Sequence, residues 1–568
     1  MKMPARITLM VACLSVIITL LLAFTAPDPF YLAPFRESQT AISAEYLVRE
    51  PAGGMLAYQL PVLGAPWRVP YEFPLFQQLT AWIAQLGISI TQAGRLLNMV
   101  CFILCVLVMA RLWKKWGLSG SVRLIAIALL IASPIYCIYA TAHMIESLAL
   151  LFALLHVWTA WKFAGSLHWR WLVLALISGI MAALEKITTW MPAGALVAIL
   201  GLMEFKQAYA KDGIGRKWRS WFGLLLVSAG CLIAGVLWSE WCAGIREHNP
   251  MNDEASLPSW IFGTLEQRLT LKNWIYVMGK HSLLLFGPLG LLVPVLLAVA
   301  LWKGARNSTR SFLILSLLGY IIHTVVFFRL HLRHDYYVFG AGIFLISAVV
   351  FALISLQESK PSVWIRWCPV ALALSMAVGS LVYMTVKRSY HDLATEEAIK
   401  TLRSIKEPGA LLMFGFDWNP RVPFAVGRKA LMVIYPAEIP RALAANKNTP
   451  FAAAVVLGSE NDAIAGSAAE KIGLDISHKF YFWKSGYILL PPGAEMPSRN
   501  DIVENPVIKE LEMRVASHSP LPDGIVYKRL PFNGGKGGWF EIIVKRGADA
   551  FYVHNLSLIR VRQYFPEK

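Results

Sequence analysis

The sequence contains little charge for its length, and acidic residues are the scarcer kind. Its 568 residues include 35 Asp and Glu against 53 Lys and Arg, and charged residues make up only 15% of the chain. Hydrophobic residues make up 57%, and the mean hydropathy is +0.53. This composition places the chain among polytopic membrane proteins.

The net charge of +18 does not indicate nucleic-acid binding, because the basic residues form no single patch. They lie in short clusters between apolar runs, which is the distribution of cytoplasmic loops under the positive-inside rule. We therefore expect no nucleic-acid partner.

Cysteine is scarce, and none follows Cys368, so the C-terminal region has no internal disulfide. That region also lacks a phosphate-binding loop, a dinucleotide fingerprint and zinc-ligand spacing. The chain has no His/Cys ligand cluster, which leaves a divalent cation held by carboxylates as an open alternative.

Long apolar runs predict about eleven transmembrane helices across a core of ~30 Å. The first run is long enough to span and lacks a convincing cleavage site, so an uncleaved helix is expected instead of a signal peptide. The shorter run 73–90 predicts a helix in the interface, with a re-entrant span as the alternative. The eleven predicted spans lie near 7–25, 93–111, 122–141, 144–163, 169–185, 187–205, 219–239, 281–302, 311–328, 335–356 and 364–386.

Loops rich in Lys and Arg alternate along the chain with loops that have almost none, and this pattern predicts the orientation of the protein in the membrane. The loop 133–143 carries almost none, whereas the loops before and after it are basic. The positive-inside rule then places the N-terminus in the cytoplasm and the C-terminus outside.

After Met384 the composition becomes that of a soluble domain, with helix-like segments alternating with short strand-like ones. The predicted domains are a membrane domain at 1–386, with its first external loop at about 26–92, and an external (periplasmic) α/β domain at 387–568.

Polar residues gather on the predicted external side, most of them in the first loop. Apolar spans do not need them for stability, and an unpaired charge at a helix mouth is costly. For any single one of these residues, the alternative to a functional role is a side chain that extends its charged end to the membrane surface, or an ion pair between helices. Their convergence suits one reaction, since a carboxylate can take a proton from an acceptor hydroxyl while Arg, Lys and His hold a phosphate. This combination fits attack on a sugar whose leaving group is a lipid-anchored phosphate, and a single base implies inversion.

The order of these motifs resembles that of the GT-C superfamily of polyprenyl-phosphate-sugar-dependent glycosyltransferases, which includes protein O-mannosyltransferases and lipid A aminoarabinose transferases. The resemblance covers roughly 7–360. It departs from many relatives at Arg36-Glu37, where they have Asp-Glu, and at Ile145-Glu146, where they often have Pro-Asp. It implies a polyprenyl-phosphate sugar donor, a bacterial inner (plasma) membrane, and an envelope glycan, lipid or protein acceptor. The motifs that carry it are FRESQTAISAEYLVRE, YEFPL, Gly94-Arg95-Leu96, HMIESLA, EKITTWMP and HDYY.

The predicted catalytic residues are three carboxylates. Glu37 is the expected base, with an ion pair to Arg36 as the alternative. Glu72 would orient the base or acceptor, or bind a cation with Glu37; the alternative is a charge favoured by a helix N-terminus. Asp335 would position His334 or an arginine. The predicted substrate-binding residues are Arg36, Tyr71, Arg95, His143, Glu146, Lys186, Arg333, His334 and Tyr336.

Within that set, His334 with Arg333 and Lys186 is expected to contact the donor phosphate. The alternative for His334 is a histidine with no role beyond its place at the membrane interface, and the alternative for Tyr336 is one of the tyrosines that commonly lie at the level of the lipid head groups.

Two other functions compete with sugar transfer. A transporter or flippase is disfavoured because no inverted repeat is present and the charges lie at one face. A polysaccharide ligase or polymerase would concentrate its arginines and histidine in a late long loop, and here the loop at 240–280 carries a weaker signal than the first loop.

Overall fold

The computed structural model describes residues 2–26, 30–56, 59–210, 214–305, 308–389, 392–477, 479–483, 486–494, 525–531, 538–546, 549–554 and 557–561. These residues form two compact units. One comprises Met1–Leu393 with Gly409–Phe451, and the other Ala394–Pro408 with Ala452–Lys568.

The first unit is built mainly from helices. In chain order they are α1 (Lys2–Phe24), α2 (Pro34–Arg49), α3 (Leu75–Ala84), α4 (Ile90–Lys115), α5 (Gly120–Ala132), α6 (Pro134–Tyr139), α7 (Glu146–Ser166), α8 (Trp169–Ala210), α9 (Ile214–Arg246), α10 (Leu257–Phe262), α11 (Leu265–Leu269), α12 (Leu271–Phe286), α13 (Val293–Lys303), α14 (Ser308–Val326), α15 (Phe328–Arg333), α16 (Val338–Ser359) and α17 (Val363–Ser389). Within the described ranges, eight are long and apolar enough to cross a membrane: α1, α4, α7, α8, α9, α14, α16 and α17. The predicted class, a polytopic helical membrane protein, is confirmed.

A single non-helical residue divides α8 into two arms. Lys186 has φ −161° and ψ 93°. Both arms pack against α9. The first arm runs in the same direction as α9, and the second arm runs in the opposite direction. The contacts are Gly223 with Leu172, Leu224 with Gly201, and Gly235 with Ala183 and Ile187. The chain therefore reverses direction at Lys186, between the two runs 169–185 and 187–205.

Proline interrupts two other apolar runs. Proline has no N–H and disfavours a helical conformation in the residue before it, so helices break at Ser133-Pro134 and at Gly287-Pro288. Gly287 has φ +66°, and a Cβ there would lie 2.0 Å from the Ser375 carbonyl oxygen. The runs 122–141 and 281–302 consequently appear as α5 with α6, and as the end of α12, a 3₁₀ turn and α13. The number of crossings stays a prediction.

Helix α16 lies at the centre of the membrane helices. It contains no charged residue before Glu358, and nearly all of its residues are buried. A helix that is apolar on every face has to be covered on every face. Its first residue, Val338, directly follows the HDYY segment, so the buried helix fixes where that segment lies.

The rest of the chain is mixed helix and strand. Its elements are α18 (Leu393–Leu402), β1 (Ala410–Phe414), α19 (Arg421–Val426), β2 (Ala430–Val433), α20 (Ile439–Ala445), β3 (Phe451–Leu457), α21 (Asp462–Lys471), β4 (Phe480–Trp483), β5 (Gly486–Leu489), β6 (Ile525–Pro531), β7 (Gly538–Arg546), β8 (Asp549–His554) and β9 (Ser557–Val561). In the second unit, β5 pairs antiparallel with β3 and β4, and β6 to β9 form a four-stranded antiparallel sheet.

Strands β1 and β2 belong to the first unit and pair in parallel, with Leu411 opposite Ala430. They contact the predicted first loop: Gly64 N–H donates to the Ala430 carbonyl at 3.1 Å, and Ala65 N–H to Asn446 Oδ1 at 2.7 Å. The unit that holds the membrane helices therefore also holds 409–451, which the sequence assigns to the α/β domain.

Candidate active site

Glu37 lies in the first turn of α2 and is fully buried. Its Oε1 accepts the backbone N–H of Ala33 at 3.1 Å, and its Oε2 accepts that of His143 at 3.0 Å. The first turn of a helix has unpaired N–H groups and favours a carboxylate. Both carboxylate oxygens therefore accept hydrogen bonds from backbone N–H groups, and Glu37 links the start of α2 to the turn before α7.

Arg36 pairs with Glu72 instead of with its neighbour Glu37. The Arg36 guanidinium forms an ion pair with Glu72 Oε1, and each side chain is 11% exposed. Gln77 Nε2 donates to the other oxygen, Glu72 Oε2, at 3.2 Å, and Arg36 donates to Gln39 at 3.2 Å. The pair joins α2 to the segment before α3 and leaves both side chains partly accessible.

The turn in α8 brings a lysine to the start of α7. Lys186 Nζ lies 2.5 Å from Glu146 Oε1. Its ammonium also lies 4.6 Å from the ring centre of Tyr337 and 5.2 Å from that of Tyr336, at cation–π distance. Three of the predicted substrate-binding residues, Glu146, Lys186 and Tyr336, thus meet, although they are up to 190 positions apart in the chain.

Glu185 has no role in the sequence-based set, yet it is buried beside this lysine. Neither of its carboxylate oxygens has a hydrogen-bond partner among the described residues, and neither does Glu146 Oε2. Arg36, Glu146 and the backbone of Phe76 are its polar neighbours. An adjacent Glu-Lys pair between two apolar runs was the sequence signal for it. We refer to Arg36, Glu72, Glu146, Glu185, Lys186, Tyr336 and Tyr337 as the polar cluster.

Asp335 is held by residues that the sequence did not indicate. Its Oδ2 accepts the Tyr383 hydroxyl at 3.0 Å, and its Oδ1 lies 3.6 Å from Lys280 Nζ. The Tyr383 hydroxyl also meets that of Tyr139 at 2.8 Å. Lys280 further donates to the backbone carbonyls of His331 and His334. Asp335 therefore fixes the turn before α16 through a lysine and a tyrosine.

The remaining predicted residues make contacts of their own. Arg95 is buried and donates to the Ala23 carbonyl at 3.3 Å, while the Tyr71 hydroxyl donates to Asn252 at 2.6 Å. Arg333 is exposed. Among the described residues, no group of three or more His, Cys, Asp or Glu side chains could hold a metal ion.

His334 stacks against Tyr336, with ring centres 5.2 Å apart. Burial is the main cause that lowers the pKa of His334 to about 4, and the charges of Lys280 and Arg36 contribute to the same shift. The imidazole is therefore neutral at pH 7, and any contact it makes to a phosphate is a hydrogen bond from a neutral ring.

His143 is fully buried between the rings of Phe30 and Phe76. Gly94 makes room for it, because a Cβ at that position would lie 2.4 Å from the imidazole. Neither ring nitrogen makes a well-aligned hydrogen bond to the described residues, although the backbone of Thr91 lies near the ring. Burial is the main cause that lowers the pKa of His143 to about 3, with the Arg95 charge adding to it.

We expect the folded state to lose stability as the pH falls below about 6.5. His143 and His334 have native pKa values of about 3 and 4, against 6.5 for the free side chain. The unfolded chain therefore binds protons first, and stability that is complete above pH 6.5 is lost as the pH falls toward 4. Thermal unfolding of purified protein between pH 7.5 and 4.5 measures this loss. His143→Phe should flatten the dependence without lowering Tm at pH 7.5, whereas the same change at exposed His168 should leave the slope unchanged. An unaltered slope in His143→Phe would contradict the assignment.

The apolar helices define a multi-pass membrane protein, and comparison with solved structures shows that its fold is GT-C-like. Solved structures with a similar fold include two of ArnT from Cupriavidus metallidurans. The apo form matches with a TM-score of 0.56 at 14% identity, covering 84% of this chain and 97% of ArnT. The form bound to undecaprenyl phosphate matches with a TM-score of 0.55 at 13% identity, with the same coverage. No family model matches the sequence, and no curated protein matches it significantly.

Proposed function

We propose that the protein transfers a sugar from a polyprenyl-phosphate donor to an envelope glycan, lipid or protein acceptor on the external face of the membrane. The observation that supports this most is the polar cluster, in which two basic side chains and three carboxylates meet at the ends of membrane helices. The ArnT structure with undecaprenyl phosphate shows that a protein of this fold can bind such a lipid.

Lys186 and Arg36 are the proposed phosphate ligands. Each of them forms an ion pair with a carboxylate, Lys186 with Glu146 and Arg36 with Glu72. A phosphate brings negative charge and three strong acceptor oxygens, so it competes with the carboxylates for both cations. Donor binding would release Glu72 from its ion pair.

Glu72 is the proposed base. Both oxygens of Glu37 already accept backbone N–H groups, whereas Glu72 is partly exposed and loses its ion-pair partner when the phosphate arrives. Once released, Glu72 takes the proton from the acceptor hydroxyl, the hydroxyl oxygen attacks the anomeric carbon, and the lipid phosphate leaves from the opposite side. One base opposite the leaving group gives inversion.

The test compares Lys186→Met with Lys162→Met, an exposed lysine that packs on Trp158 and Trp171. Losing one charge-assisted contact should weaken undecaprenyl phosphate binding by about 10- to 100-fold in the first variant, while the second binds normally. Membranes would also be given radiolabelled polyprenyl-phosphate sugars. Transport of an unmodified solute into vesicles, without any transfer, would overturn the proposal.

A further inference from the structure

Three buried carboxylate oxygens near the turn of α8 have no hydrogen-bond partner in the part of the chain that the structure describes. Two belong to Glu185 and one is Glu146 Oε2, and both side chains are 1% exposed. Buried acceptors are nearly always hydrogen-bonded in folded proteins, so each exception calls for a reason. An apolar side chain would suit the fold at position 185 better, because it would not need a partner.

The nearby basic side chains do not donate hydrogen bonds to these three oxygens. Lys186 is paired with Glu146 Oε1, and Arg36 with Glu72. The charges that act on Glu185 are those of Arg36, which attracts it, and Glu146, which repels it. The cluster thus contains three carboxyl groups but two basic side chains, and Glu185 is the one without a basic partner of its own. Among the described residues, the backbone N–H of Phe76 is the one further donor near Glu185, and it does not make a well-aligned hydrogen bond to either oxygen.

We propose that Glu185, together with Glu146 Oε2, binds hydroxyl groups of the transferred sugar. This rests on the function proposed above and names the part of the site that holds the sugar. Neighbouring hydroxyls of a sugar are a set of closely spaced donors that a carboxylate can accept together. Glu185 is also adjacent in the chain to Lys186, the proposed phosphate ligand. A sugar joined to that phosphate therefore lies beside Glu185, and it enters past the Arg36–Glu72 pair, which the phosphate separates.

Glu185 acts here as a positioning residue: it orients the anomeric carbon and takes no part in proton transfer. A site built to accept hydrogen bonds from hydroxyls discriminates against substrates that lack them, because its own acceptors are then left unpaired. The subsite accordingly sets the affinity for the sugar part of the donor and leaves the affinity for the lipid phosphate unchanged.

The experiment uses full-length purified protein with three substitutions: Glu185→Gln, Glu185→Met and, as a matched control, Glu247→Met at an exposed glutamate. Three quantities are measured for each: Tm, affinity for undecaprenyl phosphate without a sugar, and kcat/KM for a polyprenyl-phosphate sugar. We expect both Glu185 variants to keep or raise Tm and to bind the bare lipid phosphate normally. Their kcat/KM should fall by about 10- to 100-fold, as expected for loss of charge-assisted hydrogen bonds.

A second experiment uses a polyprenyl-phosphate sugar that lacks one hydroxyl of the sugar. If Glu185 accepts that hydroxyl, the wild type should lose activity on the deoxy donor, and Glu185→Met should lose little more. Normal transfer by Glu185→Met would overturn the subsite and leave the proposed function standing. Equal losses of Tm, lipid-phosphate binding and transfer would show a structural role only. A wild type that transfers no sugar from any polyprenyl phosphate would remove the proposed function itself.

Discussion

Replacing Glu72 with Gln should reduce sugar transfer by roughly 100- to 10,000-fold, the usual contribution of a general base. Gln has the size of Glu and can still accept from Gln77, but it cannot take a proton or neutralise Arg36. Because Arg36 is only 11% exposed and would lose its neutralising partner, we also expect Tm to fall. Initial rates in membranes with equal amounts of protein, together with Tm in detergent, measure both effects.

Glu37→Gln is the matched comparison, because Glu37 is the base that the sequence favours. Its amide would turn an NH₂ group toward the backbone N–H of Ala33 or His143. One buried donor then faces another, and the free energy of unfolding should fall by about 1–3 kcal/mol. Activity per folded molecule should persist. A Glu37→Gln variant with native Tm and no transfer, beside an active Glu72→Gln, would return the role of base to Glu37.

The second large effect is expected at His331, the middle member of a buried chain of three histidines. His331 Nδ1 lies 3.1 Å from His281 Nε2, and His331 Nε2 lies 2.9 Å from His323 Nδ1. His281 Nδ1 meets the Tyr320 hydroxyl at 2.7 Å. The chain connects α12, α14 and α15, and so fixes α15 and the turn that follows it.

The remaining nitrogen of His323 identifies the direction of these hydrogen bonds. It lies against the backbone carbonyl of Thr188, whose usual helical partner would be the N–H of residue 192. That residue is Pro192, which has no N–H. His323 therefore donates to Thr188, His331 donates to His323, His281 donates to His331, and Tyr320 donates to His281. Each ring has to be neutral for this to hold, and burial lowers the pKa of His331 well below its ordinary value, with the charges of its neighbours adding to it.

His331→Ala should lower the free energy of unfolding by about 3–5 kcal/mol. The substitution leaves a cavity and strips partners from two buried imidazoles. The same change at the exposed His248 should have little effect. Thermal or denaturant unfolding in detergent measures the difference, and a Tm for His331→Ala equal to that of the wild type would refute the proposed hydrogen-bond chain.

Several particular features could be predicted from the sequence. The apolar runs identified the membrane helices, and the adjacent runs 169–185 and 187–205 correctly indicated a break at Lys186. The motifs HMIESLA, EKITTWMP and HDYY indicated residues that do lie together. The choice of partner could not be predicted, since Arg36 is next to Glu37 in sequence but pairs with Glu72. The same holds for Asp335, whose partners Lys280 and Tyr383 lie on other helices.

The sequence by itself determined that this is a helical membrane protein and that the apolar stretch 169–205 is divided near Lys186. Those properties depend on local hydrophobicity and on the thickness of a bilayer, whereas the breaks at Pro134 and Pro288 were seen only in the structure. Only the tertiary structure decided which carboxylates are used by the backbone, which are paired and which are left without donors. A carboxylate has the same chemistry wherever it occurs in a sequence, and its role depends on the groups within about 3 Å of it once distant helices have packed.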